Sequence, residues 1–122
     1  MVFGAGSNLI AILPGRNWNQ PSDRPIVIGA HWDTVPNSPG YNDNGSGVAV
    51  VLEIATVLMN AKCFVNDHTI IFVLFDAEET GCLGSLEFIR SFLITDFIRK
   101  SNPLQGAIIV DSVLNWHGEP NR

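Results

Sequence analysis

Ile26-Val27-Ile28-Gly29-Ala30 runs directly into His31-Trp32-Asp33-Thr34, and Ile70-Ile71-Phe72-Val73-Leu74-Phe75 runs directly into Asp76-Ala77-Glu78-Glu79. Both apolar runs are continuous and rich in β-branched residues. That pattern predicts strands buried on both faces, as in a parallel sheet. Gly106 to Val110 repeats it and ends at Asp111. A further short run, Asn8 to Leu13, reads as a strand closed by the turn Pro14-Gly15. Three of the four apolar runs therefore end in acids or a histidine, and ligands of open α/β sheets bind at the carboxyl ends of strands.

The segments between the strands fit this reading. Arg16 to Pro25 and Val35 to Asn44 are polar and carry Pro and Gly breakers, so both read as loops. Ser46 to Ala61 reads as a helix, with Ser46 or Asn44 as its N-cap. Val48, Val51, Leu52, Ala55, Leu58 and Met59 give one face at helical spacing. Val50, Ile54 and Val57 extend apolarity to other sides and predict a well-buried helix. A second helix is expected from about Ser85 to Ile98, with Leu86, Ile89, Phe92 and Leu93 on one face and Pro103 beyond it. Leu114 to Arg122 is polar and has no regular pattern. Strands alternating with helices predict an α/β fold with a largely parallel sheet, without internal repeats or a domain linker.

Composition narrows the function classes. In 122 residues, 46% are apolar and only 16% charged. That is apolar for so small a free-standing domain, whose surface is large for its volume. Either the chain packs apolar surface against something outside it, which the site residues favour, or it is a sheet buried on both sides. The net charge of −5, from 12 acids and 7 bases, comes without a basic run, so the footprint of a nucleic-acid binder is missing. No apolar run approaches the ~20 residues of a membrane span. The first residues, Met1 to Asn8, lack the pattern of a signal peptide, although a secreted parent with an upstream leader is compatible with that. Cys63 and Cys82 are too far apart for a Cys-x-x-Cys metal pair. They read as two buried or partly buried thiols, with a disulfide left open for an oxidising compartment.

The candidate site comprises His31, Asp33, Asp43, Glu78, Glu79 and Asp111. Single acids at strand ends are ordinary, because strand ends meet solvent. Six such groups at successive junctions are harder to explain, since gathered carboxylates repel and raise one another's pKa. A divalent cation removes that conflict. One imidazole with several carboxylates suits zinc, or manganese and cobalt as substitutes, better than calcium. His31, Asp43, Glu79 and Asp111 exceed the three ligands of one catalytic zinc, whereas two ions sharing a carboxylate use more.

The segments Gly29-Ala30-His31-Trp32-Asp33-Thr34, Tyr41-Asn42-Asp43-Asn44-Gly45-Ser46-Gly47-Val48-Ala49, Phe75-Asp76-Ala77-Glu78-Glu79-Thr80-Gly81-Cys82-Leu83-Gly84-Ser85 and Ile109-Val110-Asp111 resemble the di-zinc aminopeptidase family. That family includes carboxypeptidase Q, glutamate carboxypeptidase, the transferrin receptor and the glutaminyl cyclases. The resemblance runs from about Asn8 to Asp111, with four segments in order. It implies a three-layer α/β sandwich with a mostly parallel mixed sheet flanked by helices, incomplete at its C-terminal side. Residues 1–122 would then be a partial catalytic domain.

By position, the resemblance implies that His31 and Asp111 hold one zinc and that Asp43 bridges both ions. Glu79 holds the second, Glu78 is the general base, and Asp33 orients His31. It implies an exopeptidase of aminopeptidase type acting on peptides, and slightly favours a secretory-pathway parent. The family's second zinc takes a further histidine from later in the domain. His68 lies at the start of a strand, the wrong end of the sheet, and reads as a surface residue. His117 follows Asp111 by six residues and is a weak candidate. The chain alone is therefore expected to be a poor enzyme. Rival readings are a dipeptide carboxypeptidase-type relative, a glutaminyl cyclase-like enzyme and a non-catalytic binding relative. Asp43-Asn44-Gly45-Ser46-Gly47 looks more like the peptidases than the cyclases. Asn44-Gly45-Ser46 also matches the N-glycosylation pattern, read here as accidental because a glycan would obstruct the site. Substrate preference and oligomeric state are not legible.

Overall fold

A computed structural model describes residues 6–98 and 103–114. Strands β1 (Leu9–Leu13), β2 (Ile26–His31), β3 (Ile70–Phe75) and β4 (Gly106–Ile109) form one four-stranded sheet in the order β1-β3-β2-β4. β2 is parallel to both β3 and β4, and β1 is antiparallel to β3. Helix α1 (Gly45–Asn60) connects β2 to β3. Helix α2 (Leu83–Glu87) continues into a π-helical stretch, Phe88–Phe97, before β4.

Alternation along the central strands builds two cores, one on each face of the sheet. Val27, Ile71, Val73 and Phe75 pack against Phe88, Leu93 and Phe97. Ile28, Ala30, Ile70 and Phe72 pack against α1 through Val51. Helices on both faces make the three layers, and the continuous apolar runs of β2 and β3 follow from burial on both sides. Each large side chain buried this way contributes about 1.5–3 kcal/mol. On the π-helical side a chain of aromatic contacts links Phe75, Phe88, Phe92 and Phe97, with ring centroids 5.4–5.5 Å apart.

Several boundaries and faces differ from those expected. α1 runs from Gly45 to Asn60 rather than from Ser46 to Ala61, capped by Asn44, one of the two caps expected. It is half covered rather than well buried: Leu52, Val57 and Met59 face away from the sheet, Met59 at 73% exposure. The second helix begins at Leu83, earlier than Ser85. Its buried residues are Phe88, Leu93 and Phe97, whereas Leu86 and Ile89 are exposed. The reason is the wider π turn, which keeps residues spaced five and then four apart on one face. The outer strand β4 also exposes Ile108 and Ile109. The sheet is thus covered on both faces at its centre, as one explanation of the apolar composition expected, and apolar side chains are bare at its edge.

The amino edge of the sheet is fixed by Asp23, which is 1% exposed. Its carboxylate accepts from the Thr69 amide at 2.9 Å and from Thr69 Oγ1 at 2.6 Å. Thr69 O in turn accepts from the Ile26 amide at 2.9 Å, so the first residues of β2 and β3 are held level. His68, half-buried at this same edge, accepts from the Arg24 amide at 3.0 Å through Nδ1. It therefore lies far from the carboxyl edge, as its position before β3 suggests. Asp23→Ala leaves buried Thr69 donors unpaired and should lower the unfolding free energy by about 1–3 kcal/mol. A urea midpoint equal to that of the unsubstituted chain contradicts this role for Asp23.

Candidate metal centre

Parallel pairing sets the location of the site. His31 is level with Phe75 and Gly29 is level with Ile109, so β2, β3 and β4 end at one edge. The residues that follow each strand converge there. His31, the last residue of β2, is 5% exposed. Its Nδ1 lies 3.2 Å from the Asp33 carbonyl oxygen and 3.5 Å from Asp33 Oδ1. Its Nε2 lies 3.1 Å from Asp43 Oδ1 and 3.7 Å from Asp111 Oδ1. Asp43 sits in the loop before α1, joined to Asn44 by a cis peptide bond, and Asp111 follows β4.

Glu78 and Glu79 enter from a tight turn after β3. Gly81 and Cys82 both donate their amides to Glu78 O at 2.9 Å, and Gly84 donates to Asp76 O at 3.1 Å. Gly81 takes a φ of +110°, which a side chain would strain. Asp33 anchors the turn. Its Oδ1 accepts from the Glu78 amide at 3.0 Å, and its Oδ2 accepts from the Glu79 amide at 3.1 Å. Asp33 therefore touches more than the imidazole it was expected to orient. The nearest acceptor to His31 Nδ1 is the Asp33 backbone carbonyl, while the carboxylate holds the two glutamates by their backbone. Asp76, also acidic and also at a strand end, serves the local chain instead: it accepts from the Ser7 and Ala77 amides.

The ligand-type atoms form two groups, each within 4.8 Å: His31 with Asp43 and Asp111, and His31 with Glu78 and Glu79. The six residues expected at the site are thus brought together: Asp43, Glu78, Glu79 and Asp111 around the His31 imidazole, with Asp33 behind them. The hydrogen-bond chemistry fits a cation. The Asp33 carbonyl facing Nδ1 suits a donor there, the tautomer that leaves Nε2 free to ligate a cation alongside the Asp43 carboxylate 3.1 Å away. The 3.1 and 3.7 Å separations bracket the roughly 3.3 Å between ligand atoms of a tetrahedral zinc site.

Two features were not legible beforehand. A cavity of about 350 Å³ opens beside the cluster, walled by Val27, Phe75, Phe88 and Leu93, with His31, Glu78 and Asp111 also lining it. It arises from packing between helix and sheet, which no local pattern announces. Cys82 lines the same cavity and donates through Sγ to Glu78 Oε1 at 3.5 Å. Its thiol pKa is held above the ordinary value, first by that hydrogen bond, then by desolvation and the negative charges of Glu78 and Asp33. Cys63 and Cys82 are both free and exposed, rather than buried or partly buried. One sits in the loop after α1 and the other at the left-handed cap of α2, with φ +57°. His117 lies outside the described residues. Among the described residues, no helix is long and apolar enough to cross a membrane.

Fold and cluster together define a class: an open α/β protein with a candidate metal centre at the carboxyl edge of its parallel strands. The chain belongs to peptidase family M28, whose sequence profile matches residues 8–113. It is 45% identical over 82 residues to aminopeptidase YwaD of Bacillus subtilis (strain 168), covering 67% of this chain and 17% of YwaD. It is 38% identical over 96 residues to leucine aminopeptidase 1 of Pyrenophora teres f. teres (strain 0-1), covering 70% of this chain and 23% of that protein. Among solved structures, BSAP, a zinc aminopeptidase from Bacillus subtilis, superposes with a TM-score of 0.70 at 36% identity. That match covers 87% of this chain and 24% of BSAP. The chain spans less than a quarter of the length of these three relatives.

Asp33→Ala removes both acceptors of the glutamate turn. Amide hydrogen exchange at Glu78 and Glu79 should then speed up by at least tenfold, while exchange within β2 and β3 stays slow. Unchanged protection of those two amides contradicts the anchoring role.

Proposed function

We propose that this chain carries the primary metal ligands and the general base of a zinc-dependent aminopeptidase that removes N-terminal residues from peptides. The observation that carries the reading is the His31 imidazole, with Nδ1 against Asp33 and Nε2 facing the Asp43 and Asp111 carboxylates. The named relatives support zinc as the ion and peptides as the substrate class.

His31, Asp43 and Asp111 are a complete three-ligand set for one catalytic zinc. Asp43 and Glu79 would hold a second ion. Family resemblance calls for a further imidazole at that second position. When bound, zinc supplies Lewis acidity that makes water a nucleophile near neutral pH and polarises the scissile carbonyl. Glu78, beside His31 and not assigned as a ligand, takes the proton of the attacking water and returns it to the leaving amine. Asp33 keeps the backbone of Glu78 and Glu79 fixed, so the base and the neighbouring ligand hold their separation. Its carbonyl keeps His31 in the tautomer a metal needs.

Zinc titrated into the chain should bind tightly at about one ion per chain, with any second ion lost on dialysis, and hydrolysis of a leucyl substrate should be weak. Two tight ions with rapid turnover contradict this assignment of ligands. Glu78→Gln should lower whatever turnover the chain shows by about 10²–10⁴-fold without reducing its zinc content. Loss of zinc in that variant would make Glu78 a ligand rather than the base.

A further inference from the structure

The carboxylates of Asp43 and Asp111 come from segments far apart in sequence, and both side chains are more than half exposed. Exposed carboxylates on loops do not hold a ligand geometry unless their backbones are fixed. The fixing group lies next to them. Asn44, peptide-bonded to Asp43, is 1% exposed. Its Nδ2 donates to Val110 O at 2.9 Å, and its Oδ1 accepts from the Ser112 amide at 3.3 Å. Val110 and Ser112 are the two chain neighbours of Asp111. One planar amide therefore grips the backbone on both sides of Asp111 while its own backbone carries Asp43.

Capping of α1 does not account for this arrangement. An N-cap needs only an acceptor, which Oδ1 provides to the Gly47 amide at 3.0 Å, and Ser or Asp serves as well there. The donor aimed at Val110 and the full burial go beyond capping. A side-chain amide offers a donor and an acceptor in one rigid plane, which Ser and ionised Asp do not. The neighbours are shaped to admit it: a Cβ on Gly47 would lie 2.3 Å from Asn44 Oδ1 and 2.6 Å from Val110 O. A second tie runs parallel to the first, because Ser46 Oγ donates to Asn42 O at 2.6 Å and accepts from the Val113 amide at 3.1 Å.

We infer that Asn44 is a positioning residue: its buried amide, backed by Ser46, sets the separation of Asp43 and Asp111 and so pre-forms the three-ligand site at His31. This rests on the metal assignment made above. The same burial rules out the glycosylation pattern at Asn44, whose amide nitrogen is engaged inside the protein.

The test uses Asn44→Ser, which keeps a cap acceptor but cannot reach Val110 and Ser112 together. Zinc affinity of the chain, read by competition with a chromogenic chelator, should fall by about 10–100-fold. In the metal-free chain, amide exchange at Ser112 should speed up at least tenfold. Asp23→Ala serves as the control, since it lowers stability at the opposite edge and should leave zinc affinity within about twofold. Should Asn44→Ser fail to fold, Ser46→Ala, which leaves the cap and the ligands in place, should weaken zinc several-fold. Wild-type zinc affinity in the folded variant, or an equal loss in Asp23→Ala, overturns the inference. An unsubstituted chain that binds no zinc instead overturns the metal assignment, and exchange at Ser112 then still decides whether the clasp exists.

Discussion

β2 is hydrogen-bonded on both sides, and the register of its two ladders governs everything at the carboxyl edge. Side chains alternate along a strand, so a slip of one residue would exchange its two faces. Val27 would leave the aromatic core, Ile28 would leave the α1 core, and His31 would turn away from Asp43 and Asp111. Burial on both sides makes such a slip costly, and this is why the imidazole can be placed with little freedom. Asp23 and Thr69 hold the amino edge level, and the Trp32 amide continues the ladder to Phe75 O at 2.9 Å past the carboxyl edge.

On that fixed edge four carboxylates gather around one imidazole, whose Nδ1 faces the Asp33 carbonyl. Backbone amides relieve part of the charge, at Asp33 through the glutamate turn. Asp43 and Asp111 face Nε2, where the proposed cation would offset their charge. On the proposed metal assignment, metal affinity and loop order are linked, because the gathered carboxylates repel one another without an ion.

Most of this was legible in the sequence because the informative residues close unbroken apolar runs. The runs ending at His31, Phe75 and Val110 are long enough and apolar enough to be strands buried on both faces, and parallel strands bring their ends to one edge. Convergence of His31, Glu78, Glu79 and Asp111 follows from that, and Asp43 joins them from the loop that opens α1. The misreadings share a cause in tertiary packing. The face of the second helix was set by an α period, and the wider turn at Phe88 to Phe97 selected other residues. α1 was apolar on several sides, yet a helix on a small sheet has only one side covered. Asn44 illustrates the limit best. Its composition suits a cap, a turn or a glycan acceptor, and only the closeness of Val110 and Ser112 reveals what its amide grips.

The central claim is that His31, with Asp43 and Asp111, is the primary zinc ligand set. Zinc K-edge X-ray absorption on the chain loaded with one zinc tests it most directly. The account predicts a shell of nitrogen and oxygen alone at about 2.0–2.1 Å, with outer scattering from one imidazole that disappears in His31→Ala. A sulfur shell near 2.3 Å, or imidazole scattering that survives His31→Ala, contradicts it.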